Sequence, residues 1–256
     1  MSLVIDKVSK SYQNGEADVL KEISLTVENG EFVCIVGASG CGKSTLLNLV
    51  SGLETPTTGE ILLEGKKITG PGADRVVMFQ EHGLYPWLSV LDNVKFGMKM
   101  AGVSKELQEE KAMYYLDMVH LTEYRDYMPH QISGGMRQRT ALARALTLDS
   151  KMLLMDEPFS ALDKQTSNRL REELQRIWME THRTILFITH SAEEAVYLAD
   201  RVVALSADSG EIAGIIPIQM PRPRRVYEPE FVEYRHQVLD LIKSKDENRE
   251  EKRICK

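Results

Sequence analysis

The run Gly37-Ala38-Ser39-Gly40-Cys41-Gly42-Lys43-Ser44-Thr45 follows directly on five apolar residues, Phe32 to Val36, and opens directly into a segment of helical spacing, Lys43 to Val50. It satisfies the pattern GxxxxGK[ST] in the strand, loop and helix order that the pattern requires. Such a loop turns its backbone N–H groups inward around an anion, which demands angles and close approaches that side chains would block. The helix N-terminus behind it adds partial positive charge. Gly37, Ser39, Gly40, Cys41, Gly42, Lys43, Ser44 and Thr45 are therefore candidate binding residues for a polyphosphate. Lys43 is placed to reach β- and γ-phosphates and Ser44 to put a hydroxyl on Mg²⁺. Cys41 reads as a small spacer in the loop.

Three more apolar runs have the length of strands buried on both faces: Val76 to Phe79, Met152 to Met155 and Ile185 to Ile188. They alternate with segments of helical spacing, which predicts a parallel sheet covered by helices. Helices are expected over Lys43 to Val50, Ser104 to His120, Ser133 to Leu148, Asp163 to Glu180 and Ser191 to Ala199. Ser104, Ser133, Asp163 and Ser191 are N-cap residue types. Leu170, Leu174, Ile177 and Trp178 mark one buried face. A helix-rich stretch, roughly 86–147, interrupts the strand series as an inserted subdomain. Leu3 to Val8, Val19 to Val27 and Gly59 to Leu63 alternate as antiparallel strands do. Val202 to Leu205 and Gly214 to Ile218 suggest a hairpin around Asp208-Ser209-Gly210. We expect one domain over 1–240 and a charged, flexible tail over 241–256; Lys243 to Lys256 holds six Lys or Arg and four Asp or Glu.

Composition narrows the classes. A formal charge of -6 argues against general binding to nucleic acid, which needs a cationic face. Three cysteines without CxxC spacing support neither a disulfide framework nor a zinc ribbon and fit a reducing compartment. No run approaches about 18 consecutive apolar residues, so no membrane span is expected.

The strand Met152 to Met155 ends in Asp156-Glu157, and a buried strand carries such charges only toward cations. Asp156 can hold Mg²⁺, while Glu157, expected on an extended chain to point the other way, can act as general base toward a water molecule.

Ile132-Ser133-Gly134-Gly135-Met136-Arg137-Gln138-Arg139, just before that strand, resembles the signature motif of ATP-binding-cassette (ABC) ATPases. Gln80 after the Val76 strand matches the family's Q-loop, Ser160-Ala161-Leu162-Asp163 its D-loop, His190 after the Ile185 strand its switch histidine, and Tyr12 the aromatic that stacks on adenine. These matches run in family order from Tyr12 to His190, roughly 70% of the chain. The resemblance implies a P-loop NTPase of the α/β class: an ABC-ATPase core with an antiparallel β subdomain and an inserted α-helical signature subdomain. It implies ATP and Mg²⁺ as ligands, catalytic roles for Glu157, His190 and Gln80, and metal contacts from Ser44, Gln80 and Asp156. Tyr12, Ser133, Gly134, Gly135 and Asp163 join the phosphate loop as nucleotide contacts.

A chain whose own nucleotide already has a phosphate loop has no use for a second anion site at Ser133-Gly134-Gly135 unless another subunit brings a nucleotide to it. A head-to-tail homodimer follows. By resemblance the dimer sits on integral membrane permease subunits at the cytoplasmic face, served indirectly by an extracellular or periplasmic substrate-binding protein, with no nucleic acid partner. Met136 stands where Gln is usual in the signature; the Ser and both Gly remain. With the Gln80 to Val90 stretch and Pro221-Arg222-Pro223-Arg224-Arg225, this form resembles the branch serving importers of nitrate, sulfonates and taurine. On composition the arginine cluster reads equally as a solvated loop. Trp87 and Met98, Met100, Met113, Met118 and Met128 could meet a coupling helix of the permease or fill the core. The alternative, a soluble ABC clamp acting on nucleic acid or ribosomes, usually has two ATPase units or a long coiled coil, and this chain has neither. A non-hydrolysing nucleotide module conflicts with the intact Lys43, Glu157 and His190.

Overall fold

The computed structural model describes residues 3–12, 18–79, 83–148, 150–160, 162–206 and 208–243. Strands β1 (Leu3–Lys10), β2 (Leu20–Val27) and β3 (Phe32–Val36) lead into helix α1 (Lys43–Ser51). Strands β4 (Thr58–Leu63), β5 (Lys66–Lys67) and β6 (Arg75–Met78) precede helices α2 (Val90–Met100), α3 (Lys105–Met118) and α4 (Gly134–Leu146). Then follow β7 (Met152–Asp156), α5 (Lys164–Thr181), β8 (Thr184–Ile188), α6 (Ala192–Leu198), β9 (Arg201–Leu205), β10 (Ile212–Pro217) and α7 (Pro229–Lys243). The chain forms two compact units, Met1–Arg75 with His182–Lys256, and Val76–Thr181.

In the first unit β2, β1, β4 and β5 form an antiparallel sheet in that order, with Leu3 opposite Val27 on one side and Leu63 on the other. Beside it, β3 pairs in parallel with β8 (Phe32 with Ile185, Ile35 with Ile188) and with β9 (Val33 with Arg201). Every residue of β3 and β8 is buried, as continuous apolar runs predict for strands covered on both faces. Phe32 and Phe187 pack ring to ring across that pair, centroids 5.9 Å apart. The expected hairpin is β9–β10, antiparallel. Gly210 in its turn has φ +64, and a Cβ there would lie 2.6 Å from Val19 O, so only glycine lets the turn reach the start of β2.

The second unit holds β6 and β7 as sheet neighbours together with α2 to α5. All four expected caps form. Ser104 accepts from Leu107 N, Ser133 from Met136 N and Ser191 from Glu194 N, and Asp163 Oδ1 accepts from Thr166 N at 3.0 Å. Leu170, Leu174, Ile177 and Trp178 are buried on α5 as their spacing predicts.

The arginine cluster is not a solvated loop. Arg224, 3% exposed, donates to the carbonyls of Val196 at 2.6 Å and Ala199 at 2.7 Å, and more weakly to Ile218 and Met220. It thereby satisfies carbonyls that the end of α6 leaves without helical partners. Arg222 donates to Asp200 Oδ1 and to Leu198 O. Burial pushes the Arg224 guanidinium down to about 10, and the neighbouring Arg222 cation pushes the same way. Replacing Arg224 by Met leaves several buried carbonyls without donors and should lower unfolding free energy by about 2–4 kcal/mol. A urea midpoint equal to wild type would contradict that role.

Candidate active site

In the first unit the phosphate loop joins β3 to α1. Gly42 is the N-cap of α1 at φ +98 and supplies no side-chain cap, so the first amides of α1 remain for a ligand. A Cβ on Gly42 would come within 2.7 Å of Leu20 Cδ2, whereas one on Gly40 would meet nothing within 4 Å. The loop is thus packed behind and open in front. Lys43 is buried, and its Nζ donates to Gly37 O at 2.8 Å and Ala38 O at 2.9 Å. These carbonyls hold the ammonium within the loop. Ser39 and Ser44 are exposed and Thr45 is half-buried. Cys41 is buried in the loop, which pushes its thiol up, against the lowering effect of Lys43.

His190 emerges at the end of β8, exposed. Because Ile35 and Ile188 are paired in register, the phosphate loop and His190 leave the parallel strands at one carboxyl edge. The turn is fixed by Thr189, whose hydroxyl donates to Glu194 Oε2 at 2.6 Å and accepts from Ser191 N at 3.0 Å. Tyr12 is 49% exposed, with its hydroxyl on Glu54.

In the second unit Asp156 closes β7 and is buried. Glu157 departs from the extended geometry expected of it, having φ +45. Its carbonyl accepts from Ser160 N at 3.2 Å, Ser160 Oγ at 3.0 Å and Gln138 Nε2 at 3.4 Å. A turn, not strand alternation, therefore aims its carboxylate, and the signature helix α4 touches that turn directly through Gln138. At the start of α4, Ser133 is exposed, and a Cβ on Gly135 would press on Leu162 at 3.2 Å. Asp163 is exposed, and its hydrogen bonds from Thr166 lower its carboxyl. Gln80 and Ala161 lie outside the described residues, as do residues 244–256.

Also in this unit, Tyr85 packs against Trp87 at 5.5 Å and Phe96 at 4.4 Å between centroids, with the Arg144 guanidinium 5.6 Å from its ring. Tyr85, Phe96, Met100, Phe79 and Arg144 line a groove of about 450 Å³. Trp87 is 69% and Met100 71% exposed, while Met98 and Met118 are core residues. Among the described residues no helix is long and apolar enough to cross a membrane.

Residues 20–160 match the family model described as ABC transporter. The chain belongs to that family, and it is an ATP-binding subunit that hydrolyses ATP to drive transport. Among its relatives, the nitrate import ATP-binding protein NrtD of Synechocystis sp. is 47% identical over 243 residues, 91% of each chain. The bicarbonate transport ATP-binding protein CmpD of the same organism is 46% identical over 250 residues, 94% of this chain and 88% of that protein. A dimeric ATP-binding cassette in a post-hydrolysis state, bound to ADP and Pi, superposes with TM-score 0.77 at 31% identity, covering 86% of this chain and all of the other.

Replacing Lys43 by Ala removes the ammonium that Gly37 O and Ala38 O hold within the loop, and ATP turnover should fall by at least about a hundredfold. Phosphate release by the purified variant at the wild-type rate would remove the loop from the active site.

Proposed function

We infer that two copies of this chain close head to tail around two ATP molecules on membrane-spanning permease subunits, at the cytoplasmic face, and power uptake of a small anion. Nitrate or bicarbonate is favoured by the NrtD and CmpD relatives, whose likeness spans at least 91% of this chain. An extracellular or periplasmic binding protein would deliver the anion to the permease. What supports the dimer is the start of α4, where Ser133 is exposed and Gly134 and Gly135 are half-buried, together with the similarity to a cassette solved as a dimer bound to ADP and Pi.

The residues fit their ligands chemically. Gly42 leaves the α1 amides uncapped, and Lys43 exchanges its two carbonyls for β- and γ-phosphate oxygens. Among the described residues no three His, Cys, Asp or Glu side chains gather into a metal cage. Ser44 and Asp156, with Gln80, instead offer the few hard oxygens that Mg²⁺ takes alongside phosphates. Mg²⁺ when bound would neutralise charge between the β- and γ-phosphates. Glu157 orients the attacking water and accepts its proton as the oxygen bonds to the γ-phosphorus and ADP leaves. His190 contacts the γ-phosphate edge, and Tyr12 stacks on the adenine. Ser133, Gly134, Gly135 and Asp163 of the second copy close over the nucleotide. The groove beside Trp87 and Met100 is assigned to the permease.

Glu157→Gln keeps size but removes the base, so ATP should bind while hydrolysis slows by about a hundredfold or more. Light scattering after size exclusion should then find dimer in Mg-ATP and monomer in ADP, and adding Ser133→Arg should restore the monomer in ATP. Normal hydrolysis by Glu157→Gln would remove Glu157 from the base role. A monomer in ATP would make closure dependent on the permease.

Truncating Trp87 to Ala should reduce transport severalfold, as loss of an aromatic interface anchor does, while the isolated subunit keeps its melting temperature. A lowered melting temperature with parallel loss of ATPase activity would instead mark Trp87 as packing.

A further inference from the structure

The Glu54 carboxylate gathers donors from the end of β1 and the residues after it and from helix α1. Tyr12 Oη donates to Glu54 Oε2 at 2.8 Å, and Lys10 Nζ pairs with the same oxygen at 3.2 Å. Asn48 Nδ2, from α1, donates to Glu54 Oε1 at 3.1 Å. Glu54 N in turn donates to Asn48 O at 3.2 Å, so its own backbone is tied to α1. Lys10 Nζ also donates to Thr55 O at 3.0 Å and lies 5.0 Å from the centre of the Tyr12 ring. Residues 9–11 lean on the same segment: Thr57 N donates to Ser9 O at 2.8 Å, and Ser11 N to Thr57 Oγ1 at 3.1 Å. Burial alone would raise the Glu54 carboxyl, but the hydrogen bonds from Tyr12, Asn48 and Lys10 and the Lys10 charge outweigh it, and the net shift is downward.

We propose that Glu54 is a positioning residue for nucleotide binding: it locks the Tyr12 ring at a fixed distance from the phosphate loop by bonding both Tyr12 and the helix that the loop opens. The proposal rests on the reading of Tyr12 as the adenine platform. α1 starts at Lys43 and carries Asn48 in its second turn, so the path from phosphate loop to ring runs through one helix and one carboxylate. A tyrosine with about half its surface open would otherwise sample several rotamers and lose that freedom when a base stacks on it. The Glu54 bond orders the ring beforehand. Because the contact concerns the base and not the γ-phosphate, ATP and ADP should benefit equally, and a polyphosphate without a base should not benefit.

Calorimetric titration of the full chain with ATP, ADP and inorganic tripolyphosphate tests this. Tyr12→Phe keeps the stacking ring and removes only the hydroxyl donor; Glu54→Ala removes the acceptor. Each should raise Kd for both nucleotides by about three- to tenfold, the scale of one charge-assisted hydrogen bond. The double variant should bind no more weakly than either single one, and tripolyphosphate should bind all of them as it binds wild type. Tyr12→Ala, which removes the platform, should weaken nucleotides further, by about tenfold or more. If Tyr12→Ala weakens binding while Tyr12→Phe and Glu54→Ala do not, the positioning role is overturned and the platform stands. If Tyr12→Ala has no effect, the platform itself fails and the proposal with it. Loss of tripolyphosphate affinity in Glu54→Ala would also overturn it, because the carboxylate would then support α1 generally.

Discussion

Parallel pairing of β3 with β8 and β9 is the constraint on which the rest of this structure depends. Every residue of β3 and β8 is buried, so neither strand can present a polar group to a ligand along its length. Chemistry is confined to the strand ends, and a parallel sheet gathers those ends at one edge. The pairing of Ile35 with Ile188 brings the phosphate loop and His190 to that edge together. β7 follows the same rule in its own unit, with four buried apolar residues before Asp156.

Helix ends divide the remaining work. Ser89, Ser104, Ser133 and Ser191 each accept a backbone N–H at the start of a helix, which satisfies local donors with a residue the chain supplies itself. α1 is the exception, because Gly42 caps nothing. Its first amides are left without a side-chain cap, and the Lys43 ammonium held by Gly37 and Ala38 keeps a cation at the same place. At the far end of α6 the polarity is reversed: carbonyls are in excess, and Arg224 supplies the donors. The turn that carries His190 and the helix behind it are therefore pinned at both ends, by Thr189 with Glu194 and by Arg224.

What could be read from the sequence was what depends on neighbours in the chain. Apolar runs of strand length, four N-caps and the GxxxxGK[ST] loop are local patterns, and each is found where its residues predict. α7 is not among the helices expected above, although Phe231, Tyr234, Val238 and Leu241 stand at i, i+3, i+7 and i+10 and Phe231 and Val238 are buried; its start at Pro229 carries none of the Ser or Asp caps that marked the others. The arginine cluster was hidden for another reason. Composition cannot tell a solvated Arg224 from one whose acceptors, Val196 and Ala199, lie more than twenty residues earlier. Glu54 was invisible for the same reason, since its partners at Tyr12 and Lys10 come from the opposite side of three intervening elements, β2, β3 and α1.

Glu157 is where local rules fail for a chemical reason. Strand alternation would turn its side chain to the face opposite Asp156, and the following Pro158 disfavours right-handed helical backbone at this position. The chain adopts φ +45 instead, a conformation costing a non-glycine residue about 1–2 kcal/mol. Glycine would relieve that cost but has no carboxylate. The strain is held in place by Ser160 and by Gln138 of the signature helix, which share the Glu157 carbonyl. The backbone aiming the proposed base is thus bonded to the helix whose N-terminus is assigned to the other subunit's nucleotide. The carbonyl that fixes this turn is shared between its own Ser160 and Gln138 of α4, so the direction of the Glu157 side chain depends on where α4 packs.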